Sequence, residues 1–122
     1  MGVQSFSENI LVVDLPSDDV HIGSDLKNLN ELIHEKSDCD VVIDCSRVEI
    51  VTSSNISNFL ALRDLLREHG RQLILCCVSV PTKGIFTVAG LDAVFEFAID
   101  RDAALAAVEQ GRKSNKPEQV SS

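Results

Sequence analysis

The chain has 122 residues, enough for one domain whose core needs neither metal nor disulfide staples. Hydrophobic residues make up 44% and charged residues 25%, the balance of an ordinary globular domain. A formal net charge of −8 repels phosphate backbones and anionic lipid, which argues against general nucleic-acid binding and membrane docking.

Met1 to Asn9 is polar and carries no apolar signal core. No run of about 18 apolar residues follows, so membrane insertion is not expected and the anticipated location is the cytoplasm. Ile10 to Leu15 is a short apolar run that reads as a strand. Pro16, Ser17, Asp18 and Asp19 read as a turn, and Val20 to Ile22 as a short second strand. Ser24 is a candidate N-cap for a helix carrying Leu26, Leu29, Leu32 and Ile33, which ends near Lys36.

Val41 to Cys45 predicts a buried strand, and the β-branched run Val48 to Val51 follows a short turn. Thr52, Ser53, Ser54 and Asn55 are all N-cap or turn formers. They precede a helix bearing Ile56, Phe59, Leu60, Leu62 and Leu66 and stopped by His69 and Gly70. Arg63 falls within that apolar arc. Leu73 to Val78 predicts a continuous apolar strand, and Pro81 suits the first turn of a helix reaching Ala89. Val94 to Ile99 reads as a last strand. Asp100 caps an Ala-rich helix from about Asp102 to Gln110, and 111–122 is a polar segment expected to be a disordered tail.

Strands alternate with helices, which predicts a single α/β domain over 1–110 with helices covering the sheet. With five Phe, no Trp and no Tyr, the core is expected to be aliphatic. The four cysteines, Cys39, Cys45, Cys76 and Cys77, read as reduced thiols, three of them in strands. On a continuing strand Cys76 and Cys77 point to opposite faces and are poorly placed to share one ion.

No catalytic set stands out. His21, His34 and His69 lack partners at ligand spacing, so no metal site is expected. Ser53 lacks a nucleophile elbow, and Lys83-Gly84 lacks the upstream glycines of a phosphate loop, so neither a cofactor nor an enzyme is expected. The hydroxyl cluster at Thr52–Asn55 is the distinctive feature. Simple helix capping explains such a cluster in many chains, but its surroundings here point further.

The chain reads Val41-Val42-Ile43-Asp44-Cys45-Ser46-Arg47-Val48-Glu49-Ile50-Val51, then Thr52-Ser53-Ser54-Asn55-Ile56, then Gly70 and Leu73-Ile74-Leu75. Ala89-Gly90-Leu91-Asp92-Ala93-Val94-Phe95 comes later. In this order residues 41–108 resemble the STAS domain, specifically the anti-sigma-factor-antagonist family. The resemblance implies a mixed β-sheet of four to five strands with about four α-helices. In that family a serine following an Asp is phosphorylated by a partner kinase that doubles as the anti-sigma factor. That serine maps onto Ser53, and the partner-binding segment onto Thr52, Ser53, Ser54 and Asn55. The family's Asp is replaced by Thr52 and its Gly by Asn55, and its early acidic residue maps to Asp18 or Asp19.

The resemblance implies a regulatory binding protein that engages an anti-sigma factor or serine kinase and is switched at Ser53. The alternative it leaves open is a non-phosphorylated scaffold, self-associating or built into a larger signalling or lipid-transport complex.

Overall fold

The structure, a computed structural model, describes residues 2–114 and side chains through Gly111. The elements run β1 (Gly2–Ser7), β2 (Ile10–Asp14), α1 (Asp19–Glu35), β3 (Asp40–Asp44), α2 (Ser53–Glu68), β4 (Leu73–Cys76), α3 (Val80–Val88), β5 (Glu96–Ala98) and α4 (Arg101–Ser114). The strands form one sheet in the order β1-β2-β3-β4-β5. β1 is antiparallel to β2, with a register shift between Ser5 and Ser7, and the other neighbours pair in parallel. The mixed α/β sheet expected from the sequence is present.

The apolar strands alternate across two cores. Leu11, Val13, Val41, Ile43, Leu73 and Leu75 face α1 and α2 and belong to the larger core. Ile10, Val12, Val42, Ile74 and Cys76 face the opposite way and are covered by Ala104 and Val108 of α4. Burial on both faces is why these strands read as unbroken apolar runs.

Several boundaries differ from the sequence expectation. Gly2–Ser7 forms an edge strand, although its residues are mostly exposed and carry no apolar pattern. Val20 to Ile22 is the first turn of α1 and not a strand. Asp18 caps that helix by accepting from His21 N at 2.8 Å, and Ile22 joins Leu26, Leu29 and Ile33 on one buried face. Val48 to Val51 lies in the loop before α2. β4 stops at Cys76, because Cys77 turns into the left-handed region at φ 58°. Helix α4 continues four residues past Gln110, so part of the expected tail is helical; 115–122 lies outside the described residues. Gly70 and Gly90 follow α2 and α3 at φ 68° and 76°, where a side chain is disfavoured.

The core is also not purely aliphatic. Phe59, Phe86 and Phe95 meet edge to face, with ring centroids 5.2 to 6.3 Å apart, and Phe97 meets Phe86 in the same way at 5.6 Å. The helix arc that Arg63 interrupts is completed by a hydrogen bond from its Nε to Val94 O at 2.9 Å.

Arg101, at the start of α4, ties two strands together. Its Nε donates to Asp44 Oδ2 at 2.7 Å and its Nη2 pairs with Asp14. Burial pushes the Asp44 carboxyl up, but hydrogen bonds from Arg101 and Ser46 outweigh it and hold the group below its ordinary value. A carboxyl depressed on folding contributes stability above the ordinary carboxylate range and loses it as pH falls through the folded value.

Arg101→Ala leaves the Asp44 side chain, 8% exposed, without its cation. Because Arg101 itself is 36% exposed, the expected loss is about 1–3 kcal/mol, below that of a fully buried pair. Denaturant titrations of both proteins at about pH 7 and about pH 3 check this: the difference should shrink at the lower pH.

Candidate functional site

The site forms where α1 and α2 begin. Thr52 is the N-cap of α2, and its Oγ1 accepts from Asn55 N at 3.4 Å. The same hydroxyl donates to Asp19 Oδ1 at 2.9 Å. Asn55 Nδ2 donates to Asp19 Oδ1 at 2.6 Å and to the Asp19 carbonyl at 2.9 Å. Its Oδ1 accepts from Asn58 Nδ2 at 3.0 Å. The side chain of Asn55 therefore ties the first turn of α1 to the first turn of α2. Gly23 lets the two helices approach: a Cβ there would lie 3.0 Å from Asn55 Oδ1.

The two candidate acidic residues of the first loop now separate. Asp19 faces the start of α2, while Asp18 caps its own helix and pairs with His21 Nδ1 at 2.7 Å. The backbone and side-chain hydrogen bonds from His21 hold the Asp18 carboxyl below its ordinary value. The two loops also touch through Glu49 N and Ser17 O at 3.4 Å.

Ser53 occupies the first helical position of α2, and both it and Ser54 are exposed. Helix geometry gives the backbone N–H groups there no intrahelical acceptor, and the macrodipole places partial positive charge at this end. No acidic residue lies in the first turn of α2. Thr52 is half-buried. Asn55 is only 2% exposed and fully engaged in the interior. Of the four residues expected at a docking surface, Ser53 and Ser54 are presented outward, Thr52 sits at the rim, and Asn55 holds the arrangement from beneath. Val20 and Ile50 add exposed apolar side chains at 75% and 57% on the two adjoining segments.

Sequence reasoning did not find Asp19 as the partner of both Thr52 and Asn55, because the contact spans 33 to 36 residues. The family pattern offered the only signal, an acidic residue in the first loop. It also missed Arg101.

A family model for the STAS domain matches residues 6–104. The chain belongs to the STAS-domain family. A curated relative of this STAS domain is a Bordetella bronchiseptica protein named as an anti-sigma factor antagonist, BtrV. It is 29% identical over 73 residues, which cover 60% of this chain and 63% of that protein, so the match spans less than two thirds of the relative.

Among solved structures, a variant of Moorella thermoacetica RsbS superposes with a TM-score of 0.79 at 18% identity, covering 92% of this chain and 97% of that one. The anti-sigma factor antagonist SpoIIAA in its unphosphorylated form superposes at 0.75 and 16% identity, over 89% and 96% of the two chains. At these identities the likeness establishes the fold. Among the described residues no helix of the STAS domain is long and apolar enough to cross a membrane.

Proposed function

We propose that this STAS domain is an anti-sigma-factor-antagonist-like module that docks a kinase-type partner around Ser53 and releases it when Ser53 is phosphorylated. The observation that carries the reading is the exposed Ser53 hydroxyl at the first position of α2, on a helix start held by Thr52, Asp19 and Asn55. In this reading the domain supplies a surface and a phosphoacceptor, and the catalysis is the partner's. The Ser53 oxygen attacks the γ-phosphorus of ATP, ADP leaves, and the hydroxyl proton passes to a base on the kinase.

The product carries about −1.5 to −2 extra charges. Free N–H groups and the helix dipole accommodate that charge, so the fold is retained. The Asp19 carboxylate nearby is already engaged by the Thr52 and Asn55 donors. A partner packed on Ser53, Ser54, Val20 and Ile50 instead meets new bulk and an anion that has to be desolvated. Charge opposition at a docked surface lowers affinity by a few kcal/mol, a tenfold to several-hundredfold effect.

The test is a pull-down with wild type, Ser53→Ala and Ser53→Asp, together with mass spectrometry of protein incubated with its captured kinase and ATP. Phosphate on Ser53 is expected, with partner recovery at least tenfold lower for Ser53→Asp. The thermal midpoint of Ser53→Asp should equal or slightly exceed that of wild type, since a carboxylate at a helix start contributes about 0.3–1 kcal/mol. Equal recovery by all three proteins, or phosphate only at other residues, sinks the proposal.

A further inference from the structure

A second constellation lies at the ends of β3 and β4. Asp44 and Cys76 are register partners across these parallel strands, so their side chains leave the same face. Cys77 would leave the opposite face if the strand continued. Its φ of 58° instead turns the chain, and its thiol comes back beside that of Cys76. A left-handed backbone is uncommon outside glycine and costs free energy, so the surroundings must hold it there. The consequence is that the Cys76 Sγ, the Cys77 Sγ and an Asp44 carboxylate oxygen all lie within 4.8 Å of one another. This corrects the expectation that the adjacent cysteines are poorly placed to share one ion.

We infer that Asp44, Cys76 and Cys77 form a binding site for a thiophilic divalent cation, with zinc as its natural probe. Zinc favours tetrahedral coordination with Zn–S near 2.3 Å, which puts two thiolates about 3.8 Å apart. The three groups already lie within 4.8 Å of one another, about 1 Å from that spacing at most. Three protein ligands leave the fourth position to water or a solute, the pattern of an open site. Cys76 and Asp44 are buried while Cys77 is partly exposed, so the ion has an entry path from one side.

The surroundings suit the ligands. Asp44 is oriented by Arg101 Nε on one oxygen and by Ser46 N on the other, at 2.7 and 2.8 Å. Such outer partners fix a ligand's direction. Among the described residues Asp14, Asp44 and the neighbouring Asp100 outnumber Arg101 here, a negative field that favours the approach of a dication. Cys45 stays apart: it packs in the opposite core, with its thiol 3.9 Å from the Ile43 carbonyl. Binding replaces two S–H bonds by two metal–sulfur bonds and releases two protons.

The experiment uses the full chain, reduced, with one equivalent of Zn²⁺ competed against a chromophoric chelator. Cd²⁺ then serves as the spectroscopic probe, through its thiolate charge-transfer absorption and ¹¹³Cd resonance. One ion per chain, a two-sulfur cadmium signal and two protons released per ion are expected. Removal of an outer partner alone weakens metal sites by about 10–100-fold. Losing a ligand in Cys77→Ser should therefore weaken binding at least a hundredfold, while the remote Cys39→Ser binds as wild type. Cys77 is partly exposed, so Cys77→Ser keeps the fold, which circular dichroism verifies. Identical titrations of wild type and Cys77→Ser, or no thiolate–cadmium absorption in wild type, overturn the inference.

Discussion

Replacing Asn55 with aspartate is expected to destabilise the domain by about 3–5 kcal/mol at neutral pH, the penalty for an uncompensated buried charge. The substitution preserves shape and exchanges one NH₂ group for an oxygen. That group donates to Asp19 Oδ1 at 2.6 Å and to the Asp19 carbonyl at 2.9 Å. The new carboxylate, at a position where Asn55 is 2% exposed, would face that of half-buried Asp19.

Burial and a like charge both raise the carboxyl's folded pKa above its unfolded one. A group raised on folding gives stability that is present below the unfolded pKa and lost as pH rises through the folded one. Asn55→Asp should therefore regain much of its loss toward about pH 5, where a raised carboxyl is protonated. Asn55→Ala removes the same donors without adding charge, and is expected to lose about 1–3 kcal/mol with no such recovery. Urea titrations of the three proteins across this pH range measure both effects. A pH-independent loss in Asn55→Asp would show that the Asn55–Asp19 link does not carry the junction.

The second large effect is expected at Phe59. Its ring is 1% exposed and lies edge-on to Phe86 and Phe95 at 5.8 and 6.3 Å. Phe59→Ala removes the ring that joins α2 to α3 and the chain entering β5. A Phe-to-Ala change in a core costs about 3–5 kcal/mol, transfer plus cavity. Against a total stability of about 5–15 kcal/mol, that leaves a marginal fold. Thermal unfolding should show a midpoint lower by about 10–25 °C, and Phe59→Leu, which fills most of the space, a smaller drop. A shift of only a degree or two in Phe59→Ala would mean the three rings do not form one packed unit.

Local signals made most of the architecture legible. The unbroken apolar runs at Val41–Ile43 and Leu73–Leu75 announced strands covered on both faces, and the hydroxyl cluster before Ile56 announced the start of α2. Errors arose where long-range packing overrode local preference. Val20 and Ile22 are β-branched, yet the Asp18 cap and the shared face with Leu26 draw them into α1. β1 carries no apolar alternation because its side chains are mostly exposed, although Val3 packs against the larger core. The aromatic cluster joins positions 59, 86 and 95, whose spacing follows no helical or strand period.

The candidate site divides the same way. Ser53 and its cap were readable from residue types in a row. The buried role of Asn55 and the turn at Cys77 depended on partners and a backbone angle that no window of sequence displays.

The parallel run of β2 to β5 has a consequence for how such a protein can diversify. Strands that all point one way deliver their outgoing chain to a single rim. Asp19, Ser53, Cys77 and Arg101 follow β2, β3, β4 and β5 in turn, so all four sit there. The interior that sets the backbone is thus physically apart from the side chains of that rim. Rim residues can be rewritten while the apolar layers stay the same, which lets chains of very distant sequence carry one scaffold to different correspondents.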